Sequence, residues 1–423
     1  MSKLLVEGGH RLSGDIKVQG SKNSVLPILS ACILTQEQCI IHNCPDLLDV
    51  DAALAILEHL GCKVSREPNT IIIDPSAINS FDIPEELMRE MRSSIVFLGA
   101  IAARAGRARV STPGGCEIGV RPIDLHLSSL RQLGLMIDES HGHLDCTVDG
   151  RMKGARIVLS LPSVGATENI MLAAATAQGR TTILNAAREP EISDLADFLN
   201  GCGARIHGAG EGTIVIDGVE KLSGTEHSVI SDRIVATTFM AAAAVTRGNI
   251  TLKEIVPAHL GPVLPAFEEA GCDIVLRGRE LTISAPPKLQ RVRTVRTSPY
   301  PGFPTDAQAP LMALTTLSDG TSMFVENIFE SRYKHVGELN RLGAHIKVEG
   351  RVAIVEGVPK LSGACVLSTD LRGAAALVIA GLSAEGITTI GETSHLYRGY
   401  ENIEECLTQV GAKIKREDQY ENE

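Results

Sequence analysis

Hydrophobic and polar positions along the chain follow one pattern that recurs six times. In each copy an amphipathic helix ends at an apolar residue followed by glycine, and a strand begins directly afterwards, as in Leu60-Gly61-Cys62-Lys63-Val64. Glycine tolerates the left-handed conformation that closes a helix, so each copy predicts a helix, a tight turn and a strand. The copies follow one another at roughly 70 residues, and their glycines are Gly61, Gly134, Gly203, Gly271, Gly343 and Gly411.

Each copy continues into a second strand of alternating β-branched residues, for example Ile214-Val215-Ile216-Asp217-Gly218. The sixth copy stops at Lys415 without this continuation. The same pattern stands instead at the N-terminus, in Leu5-Val6-Glu7-Gly8 and Ile16-Lys17-Val18. We therefore expect the two ends of the chain to complete one repeat.

A second type of helix recurs once per repeat and is apolar nearly all round, as in Phe239-Met240-Ala241-Ala242-Ala243-Ala244-Val245. A helix without a polar face is a buried helix. The amphipathic helices and the alternating strands must then lie outside these helices. The six predicted buried helices are 23–34, 94–105, 167–177, 234–245, 307–317 and 371–383.

Grouping the repeats by threes predicts an α/β protein of two domains. One domain covers residues 22–229, and the other joins residues 1–21 to residues 230–423. The chain then crosses twice between the domains, near Gly20 and near Ser231. Such a paired connection is typical of a cleft that opens and closes on a ligand, and we expect the active site in that cleft.

Composition narrows the class of protein. The 423 residues are 44% hydrophobic, which is ample for buried cores, and 40 basic against 51 acidic residues give a net charge of −11. This balance argues against a nucleic-acid partner or an anionic membrane surface. No apolar run is long enough to insert into a membrane or to act as a signal peptide, which predicts a cytoplasmic protein. The ten cysteines lack metal-ligand or disulfide spacing, so we expect reduced thiols, no metal and no cofactor.

Polar residues recur at the starts of the predicted buried helices. Asp232, Asp306 and Asp370 stand where N-caps are common, and spacing alone favours capping for all three. Cations at the same place are less expected, because they repel the positive end of the helix dipole. Their recurrence predicts a site for anionic ligands at converging helix starts. These cations are Lys22, Arg92, Arg233 and Arg372.

One segment, Thr112 to Pro122, breaks the repeat with three glycines and two prolines around Cys116. A thiol on such a loop, with Arg121 nearby, is a candidate acid, nucleophile or redox sensor. An inert exposed cysteine explains the same pattern equally well. The cysteines within helices or beside the repeat glycines, such as Cys32 and Cys62, are expected to be packing residues.

Several longer segments stand out along the chain. They are Gly20-Ser21-Lys22-Asn23, Pro113-Gly114-Gly115-Cys116, Arg121-Pro122 with Asp124-Leu125-His126, Ser163-Val164-Gly165-Ala166-Thr167, Phe303-Pro304-Thr305-Asp306 and Arg398-Gly399-Tyr400-Glu401. Together these segments resemble the UDP-N-acetylglucosamine enolpyruvyl transferases of the EPSP synthase superfamily, along nearly the whole chain. The resemblance implies a fold of two inside-out α/β barrel domains, each with three βαβαββ-like repeats around buried helices.

The resemblance also implies a reaction. The enolpyruvyl group of phosphoenolpyruvate is added to the 3-hydroxyl of UDP-N-acetylglucosamine and phosphate is eliminated, the first committed step of peptidoglycan synthesis. Cys116 is then the proton donor and can form a covalent adduct, while Asp306 is the base. Because phosphoenolpyruvate carries a phosphate and a carboxylate, it needs several cations. The resemblance assigns this role to Lys22, Arg121 and Arg398.

For the UDP-sugar, the resemblance implies a larger set of residues, with Asn23 beside both substrates and Arg233, Asp370 and Arg372 in support. It further implies a cytoplasmic enzyme that serves cell-wall biogenesis, cell shape and division, and that is the target of fosfomycin. No oligomeric state follows from the sequence. The residues expected along the UDP-sugar are Arg92, Arg121, Pro122, Ile123, Asp124, Leu125, Ser163, Val164, Gly165, Asp306 and Ile328.

Two alternatives remain at this point. An EPSP synthase shares the fold and the phosphoenolpyruvate chemistry but lacks the cysteine loop. A catalytically silent paralogue that binds the UDP-sugar would not need both a thiol acid and a carboxylate base. The presence of Lys22, Cys116, Arg121, Asp306 and Arg398 together favours the active enolpyruvyl transferase.

Overall fold

A computed structural model describes residues 2–111 and 123–418 of the chain. Strands and helices are mixed along all of these residues, which confirms the predicted α/β class. The strands are β1 (Ser2–Glu7), β2 (Ser13–Lys17), β3 (Cys39–His42), β4 (Lys63–Glu67), β5 (Thr70–Asp74), β6 (Asp82–Ile83), β7 (Arg107–Ser111), β8 (Met136–Ser140), β9 (His143–Thr147), β10 (Arg156–Val158), β11 (Arg180–Leu184), β12 (Arg205–His207), β13 (Thr213–Asp217), β14 (Glu226–Ser228), β15 (Asn249–Lys253), β16 (Asp273–Arg277), β17 (Glu280–Ser284), β18 (Thr294–Arg296), β19 (Thr321–Val325), β20 (His345–Glu349), β21 (Val352–Glu356), β22 (Cys365–Leu367), β23 (Ile387–Gly391) and β24 (Lys413–Asp418).

The helices include both types that the sequence predicts. Short 3₁₀ turns at Cys32–Leu34, Arg92–Val96 and Thr305–Ala307 adjoin three of the buried helices. The α-helices are α1 (Lys22–Ala31), α2 (Leu48–His59), α3 (Glu85–Glu90), α4 (Phe97–Ala105), α5 (Asp124–Gln132), α6 (Val164–Ala174), α7 (Pro190–Gly201), α8 (Arg233–Val245), α9 (Pro257–Leu260), α10 (Leu264–Glu269), α11 (Gln308–Thr315), α12 (Val336–Arg341), α13 (Leu371–Ser383), α14 (Ser394–Tyr397) and α15 (Ile403–Gln409).

The described strands form six four-stranded sheets of one design. In each sheet one edge strand pairs in parallel with its neighbour, and the other two pairings are antiparallel. The glycines of the six copies also indicate that the repeats are structurally equivalent, because all six have positive φ between 88° and 102°. This is the left-handed turn that the helix-to-strand step requires.

The chain divides into two compact units. We call the described residues 20–111 and 123–230 the inserted unit, and residues 2–19 and 231–418 the composite unit. Each unit holds three of the six sheets and its own cluster of buried apolar side chains. In the composite unit β1 lies between β23 and β24, so the first strand of the chain completes the sheet of the sixth repeat.

The predicted buried helices form the centre of each unit. In the inserted unit α4 packs on α1 and on α6, and in the composite unit α8, α11 and α13 all pack on one another. Twelve of the thirteen residues of α8 are buried, from Ile234 to Val245, as its apolar sequence predicts. The starts of these helices therefore have fixed positions within each unit. No helix among the described residues is long and apolar enough to span a membrane.

Candidate active site

Asp306 is the centre of the predicted site in the composite unit. It lies in the 3₁₀ turn that precedes α11, and about a quarter of its side chain is exposed. Arg332 donates from Nη2 to Oδ1 at 2.9 Å. Arg372 donates from Nε and Nη2 to Oδ2 at 3.2 and 3.0 Å. Both arginines are almost fully buried, so two fixed cations hold the carboxylate in one orientation with its outer face accessible.

The three aspartates at the starts of the buried helices have different hydrogen-bond partners. Asp232 Oδ1 accepts from the backbone N–H groups of Ile234 and Val235 at 2.8 and 3.0 Å, and caps α8. Asp370 caps α13 in the same way. These two predictions of capping are confirmed, but capping is wrong for Asp306, since no side chain caps α11 or its 3₁₀ turn. The arginines take the oxygens that a cap would offer to the backbone.

Asp370 lies beside the arginine pair although it does not bond to Asp306. Burial alone would raise the pKa of Asp370, but Arg332, His335 and two backbone N–H groups outweigh it and lower that pKa. Burial lowers the pKa of His335 to about 4. Asp370 therefore supplies a second buried negative charge behind Arg332, while His335 is neutral at pH 7.

Glu326 is a site residue that sequence analysis missed. Glu326 is buried, with only 1% of its surface exposed. One carboxylate oxygen, Oε2, accepts from Thr305 Oγ1 at 3.0 Å, next to Asp306. The other, Oε1, accepts from the backbone N–H of Ile328 at 2.8 Å. Glu326 thus fixes Asp306 and the predicted UDP-sugar residue Ile328 relative to each other, and only its place directly after a strand hinted at this role.

The remaining predicted residues of the composite unit are Arg233 and Arg398. Arg233 is the first residue of α8, and its guanidinium carbon lies 5.6 Å from the ring centroid of Tyr300. Arg398 is the C-cap residue directly after α14, and it is half-buried.

In the inserted unit, Lys22 and Asn23 are the first two residues of α1, as the sequence predicts. Lys22 Nζ lies 2.6 Å from Oδ2 of Asp49, which is 2% exposed and stands in the first turn of α2. Ser24 follows with a hydrogen bond from its hydroxyl to Asp194 of α7. Buried carboxylates on two neighbouring helices therefore fix the start of α1, and one of them holds the lysine charge.

Ser163, Val164 and Gly165 form the start of α6. Ser163 Oγ accepts from Ala166 N at 3.3 Å and caps the helix. A Cβ atom at Gly165 would lie 3.0 Å from Cε1 and 3.3 Å from Nε2 of His126, so the absence of a side chain lets this ring approach the helix start. His126 lies in α5, whose start holds the predicted residues Asp124 and Leu125.

His126 belongs to one of the motifs of the sequence, but the sequence assigned it no role. Asn169 Nδ2 donates to Ile95 O at 2.8 Å and to His126 Nδ1 at 3.1 Å, while its Oδ1 accepts from Gly99 N at 2.7 Å. With Nδ1 as an acceptor, the ring carries its proton on Nε2. Burial lowers the pKa of His126 to about 4, so the ring is neutral at pH 7. The result is a fixed N–H donor beside Gly165.

Not all predicted residues have a described position. Cys116, Arg121 and Pro122 lie outside the described residues. Arg92 begins the 3₁₀ turn before α4, and Ile123 directly precedes α5. Cys32 and Cys62, which the sequence predicts to be packing residues, are both buried in the inserted unit.

Comparison with known proteins supports the family resemblance. A sequence profile of EPSP synthase (3-phosphoshikimate 1-carboxyvinyltransferase) matches residues 6–407. UDP-N-acetylglucosamine 1-carboxyvinyltransferase 2 of Caldanaerobacter subterraneus subsp. tengcongensis is 51% identical over 98% of this chain and 100% of its own length. UDP-N-acetylglucosamine 1-carboxyvinyltransferase 1 of Symbiobacterium thermophilum is 49% identical over 98% and 95%.

A solved structure agrees with these sequence relatives. The enolpyruvyl transferase NikO from Streptomyces tendae superimposes with a TM-score of 0.88, at 26% identity and over 98% of each chain. Both the local motifs and the whole architecture therefore point to one family. The chain belongs to the EPSP synthase family, among the UDP-N-acetylglucosamine 1-carboxyvinyltransferases.

Proposed function

We propose that this protein transfers the enolpyruvyl group of phosphoenolpyruvate to the 3-hydroxyl of UDP-N-acetylglucosamine and releases phosphate. The observation that carries the proposal is Asp306. This carboxylate caps no helix, is held by Arg332 and Arg372, and keeps a face exposed. The near-complete match to relatives named for this transfer supports the same conclusion.

The proposed reaction is an addition followed by an elimination. The sugar 3-oxygen forms a bond to C2 of phosphoenolpyruvate while Asp306 takes the hydroxyl proton. Cys116 gives a proton to the methylene carbon, C3, which becomes a methyl group. The C2–O bond to phosphate then breaks, a proton leaves C3, and the double bond returns. Alternatively, the Cys116 sulfur adds to C2 while C3 takes up the thiol proton, which gives a saturated thioether that still carries phosphate, and loss of the sulfur from C2 with a proton from C3 reverses the step.

Three cations are proposed to bind phosphoenolpyruvate: Lys22, Arg121 and Arg398. Lys22 Nζ at 2.6 Å from Asp49 is a charge with a fixed direction, which suits an anion whose reacting carbon must be placed accurately. Arg233, Asp370 and Arg372 support the site. Arg372 does so through its two hydrogen bonds to Asp306.

The UDP-sugar is proposed to lie along the starts of α5 and α6. Backbone N–H groups at the start of α6 and the Nε2–H of His126 are donors suited to a diphosphate or a uracil carbonyl. Arg92, Asn23 and Ile328 complete this set, together with Arg121 to Leu125.

In the cell, we propose that this reaction serves peptidoglycan synthesis in the cytoplasm, and through it cell shape and division. Its only proposed partners are the two substrates, with no cofactor. The epoxide fosfomycin is proposed to alkylate Cys116. A mass increase on the peptide that holds Cys116, absent in C116S, would support this, and an unmodified peptide under turnover conditions would count against it.

The decisive experiment mixes the purified protein with phosphoenolpyruvate and either UDP-N-acetylglucosamine or shikimate 3-phosphate. We expect phosphate release only with the UDP-sugar, together with vinyl proton signals of the enolpyruvyl product by NMR. Release only with shikimate 3-phosphate would identify an EPSP synthase. UDP-sugar binding in calorimetry without phosphate release would identify a silent paralogue.

A further inference from the structure

Gln19 is the last residue of the composite unit before the chain enters the inserted unit at Gly20. Its side chain makes two hydrogen bonds to the segment that follows Arg398. Nε2 donates to the carbonyl of Gly399 at 3.3 Å, and Oε1 accepts from the N–H of Glu401 at 2.8 Å. One primary amide therefore satisfies a backbone acceptor and a backbone donor on either side of Tyr400.

The backbone of Gln19 is fixed as well. Its carbonyl accepts from the N–H of Asp232 at 2.9 Å, and Asp232 caps α8. The preceding residue, Val18, donates to the carbonyl of Lys253 at 3.1 Å, at the end of β15. Gln19 is thus a rigid support on which the 399–401 segment rests.

The 399–401 segment is connected to Asp306 through the contacts of Tyr400 and Arg372. Tyr400 is 1% exposed, and its hydroxyl is 2.9 Å from Thr238 Oγ1 on α8. The guanidinium carbon of Arg372 lies 5.4 Å from the centroid of the Tyr400 ring. Arg372 in turn donates twice to Asp306. A displacement of residues 399–401 would therefore also shift Arg398 and Arg372, the arginine that holds the proposed base.

We propose that Gln19 is a positioning residue that fixes Arg398 for phosphoenolpyruvate and, through Tyr400 and Arg372, orients Asp306. This inference rests on the proposed function. Lys22, another proposed cation, follows Gln19 by three residues in the chain. One short segment thus carries Lys22 and holds the backbone beside Arg398, which makes Gln19 a determinant of phosphoenolpyruvate affinity more than of UDP-sugar affinity.

The test uses Q19M, which keeps the length of the side chain but removes both hydrogen bonds. We expect the KM for phosphoenolpyruvate to rise roughly tenfold, the weight of one or two ordinary hydrogen bonds. The KM for UDP-N-acetylglucosamine should stay within about twofold of the wild-type value. The matched control is Q409A, because Gln409 Nε2 also donates to a backbone carbonyl, that of Asp15 at 3.4 Å, on the exposed surface.

A double-mutant cycle with Y400F separates positioning from general destabilisation. If Gln19 acts through the 399–401 segment, the effects of Q19M and Y400F on the KM for phosphoenolpyruvate are non-additive. If Q19M does not fold, Q19N carries the same prediction, because its amide is one methylene too short to make both bonds.

Three results would overturn the proposal. These are an unchanged KM for phosphoenolpyruvate in an active variant, an equal rise in both KM values, and additive effects of Q19M and Y400F. A wild-type protein that does not turn over the two substrates would instead refute the proposed function, and this proposal with it.

Discussion

Asp306 in the composite unit and His126 in the inserted unit are held by opposite electrostatic means. In the composite unit, Asp306 is an ion between two buried arginines. In the inserted unit, His126 is neutral, and an uncharged amide, that of Asn169, holds it through a chain of hydrogen bonds to Ile95 and Gly99. Charge orients Asp306, whereas hydrogen bonds to a buried, neutral ring orient His126.

This difference matches the proposed chemistry. A group that receives a proton during the reaction changes its charge, and fixed cations keep its geometry while this happens. A group that only donates a hydrogen bond to a ligand does best with a constant, neutral state and one defined N–H. The comparison thus predicts that changes around Asp306 act on turnover, while changes around His126 act on ligand affinity and on the pH dependence of stability.

The largest expected effect comes from D306N. The amide keeps the size of the side chain but cannot take the hydroxyl proton, so kcat should fall on the order of a thousandfold. UDP-sugar binding, measured by calorimetry, should remain within a few-fold of wild type. The control is D232N, in which asparagine still caps α8. Comparable losses of kcat in the two variants would break the distinction between Asp306 and the capping aspartates.

A smaller loss is expected in R372K. Lysine cannot place two donors at the positions of Nε and Nη2, so the orientation of Asp306 relaxes, and kcat should fall roughly 10- to 100-fold. Stopped-flow detection of phosphate measures this effect. Arg293, which is largely exposed, provides the control R293K. If R372K keeps wild-type kcat, the arginine pair does not orient the base.

The pH dependence of stability should depend on His126. The pKa of this ring is lowered to about 4 in the folded protein, while the unfolded chain has its ordinary value near 6.5. The unfolded state therefore binds the proton more tightly, so stability is present above pH 6.5 and is lost as the pH falls toward 4. Between pH 7 and pH 5 this one group removes about 2 kcal/mol.

Urea unfolding at the two pH values checks this prediction with H126Q, whose side-chain oxygen can still accept from Asn169. We expect the loss of stability between pH 7 and pH 5 to be smaller in H126Q than in wild type. H207Q, on the exposed face of β12, is the surface control for the same substitution. Equal slopes in wild type and H126Q would mean that His126 is not held neutral.

The smallest expected effect comes from G165A. A methyl group 3.0 Å from Cε1 of His126 must push the ring away by a few tenths of an ångström. The KM for the UDP-sugar should then rise roughly fivefold, with kcat nearly unchanged. G337A is the matched control, because a Cβ atom there meets no atom within 4 Å. A fall in kcat without a change in KM would contradict the assignment of the inserted unit to binding.

Local patterns predicted the repeats because each depends on neighbouring residues. A glycine after an amphipathic helix fixes its own turn, and an all-apolar helix can only be buried. Helix bounds were less predictable: α6 begins at Val164 rather than Thr167, because Ser163 caps it, and α4 begins after a 3₁₀ turn at Phe97 rather than Ser94. Backbone hydrogen bonds at helix ends, which periodicity does not encode, decide these positions.

The partners of the site residues could not be predicted in this way. Asp232, Asp306 and Asp370 have the same side chain at similar places in their repeats, yet Asp232 and Asp370 cap helices whereas Asp306 accepts from two arginines. These arginines lie 26 and 66 residues away in the chain. Such pairs depend on how helices and loops pack, and a single sequence contains no signal for them. Glu326 and Asn169 were missed for the same reason.

β1 lies in one sheet with two strands that are about 400 residues later in the chain, with Leu4 opposite both Ile390 and Arg416. On a ribosome, residues 20–230 emerge and can fold while β1 still has no partner. At 5–20 residues per second, the remaining chain takes about 10 to 40 s to appear. Throughout that time β1 is an apolar strand with unpaired edges, and it must not pair with other strands. The composite unit, which holds the proposed base, is therefore also the part of the molecule most prone to misfolding during synthesis.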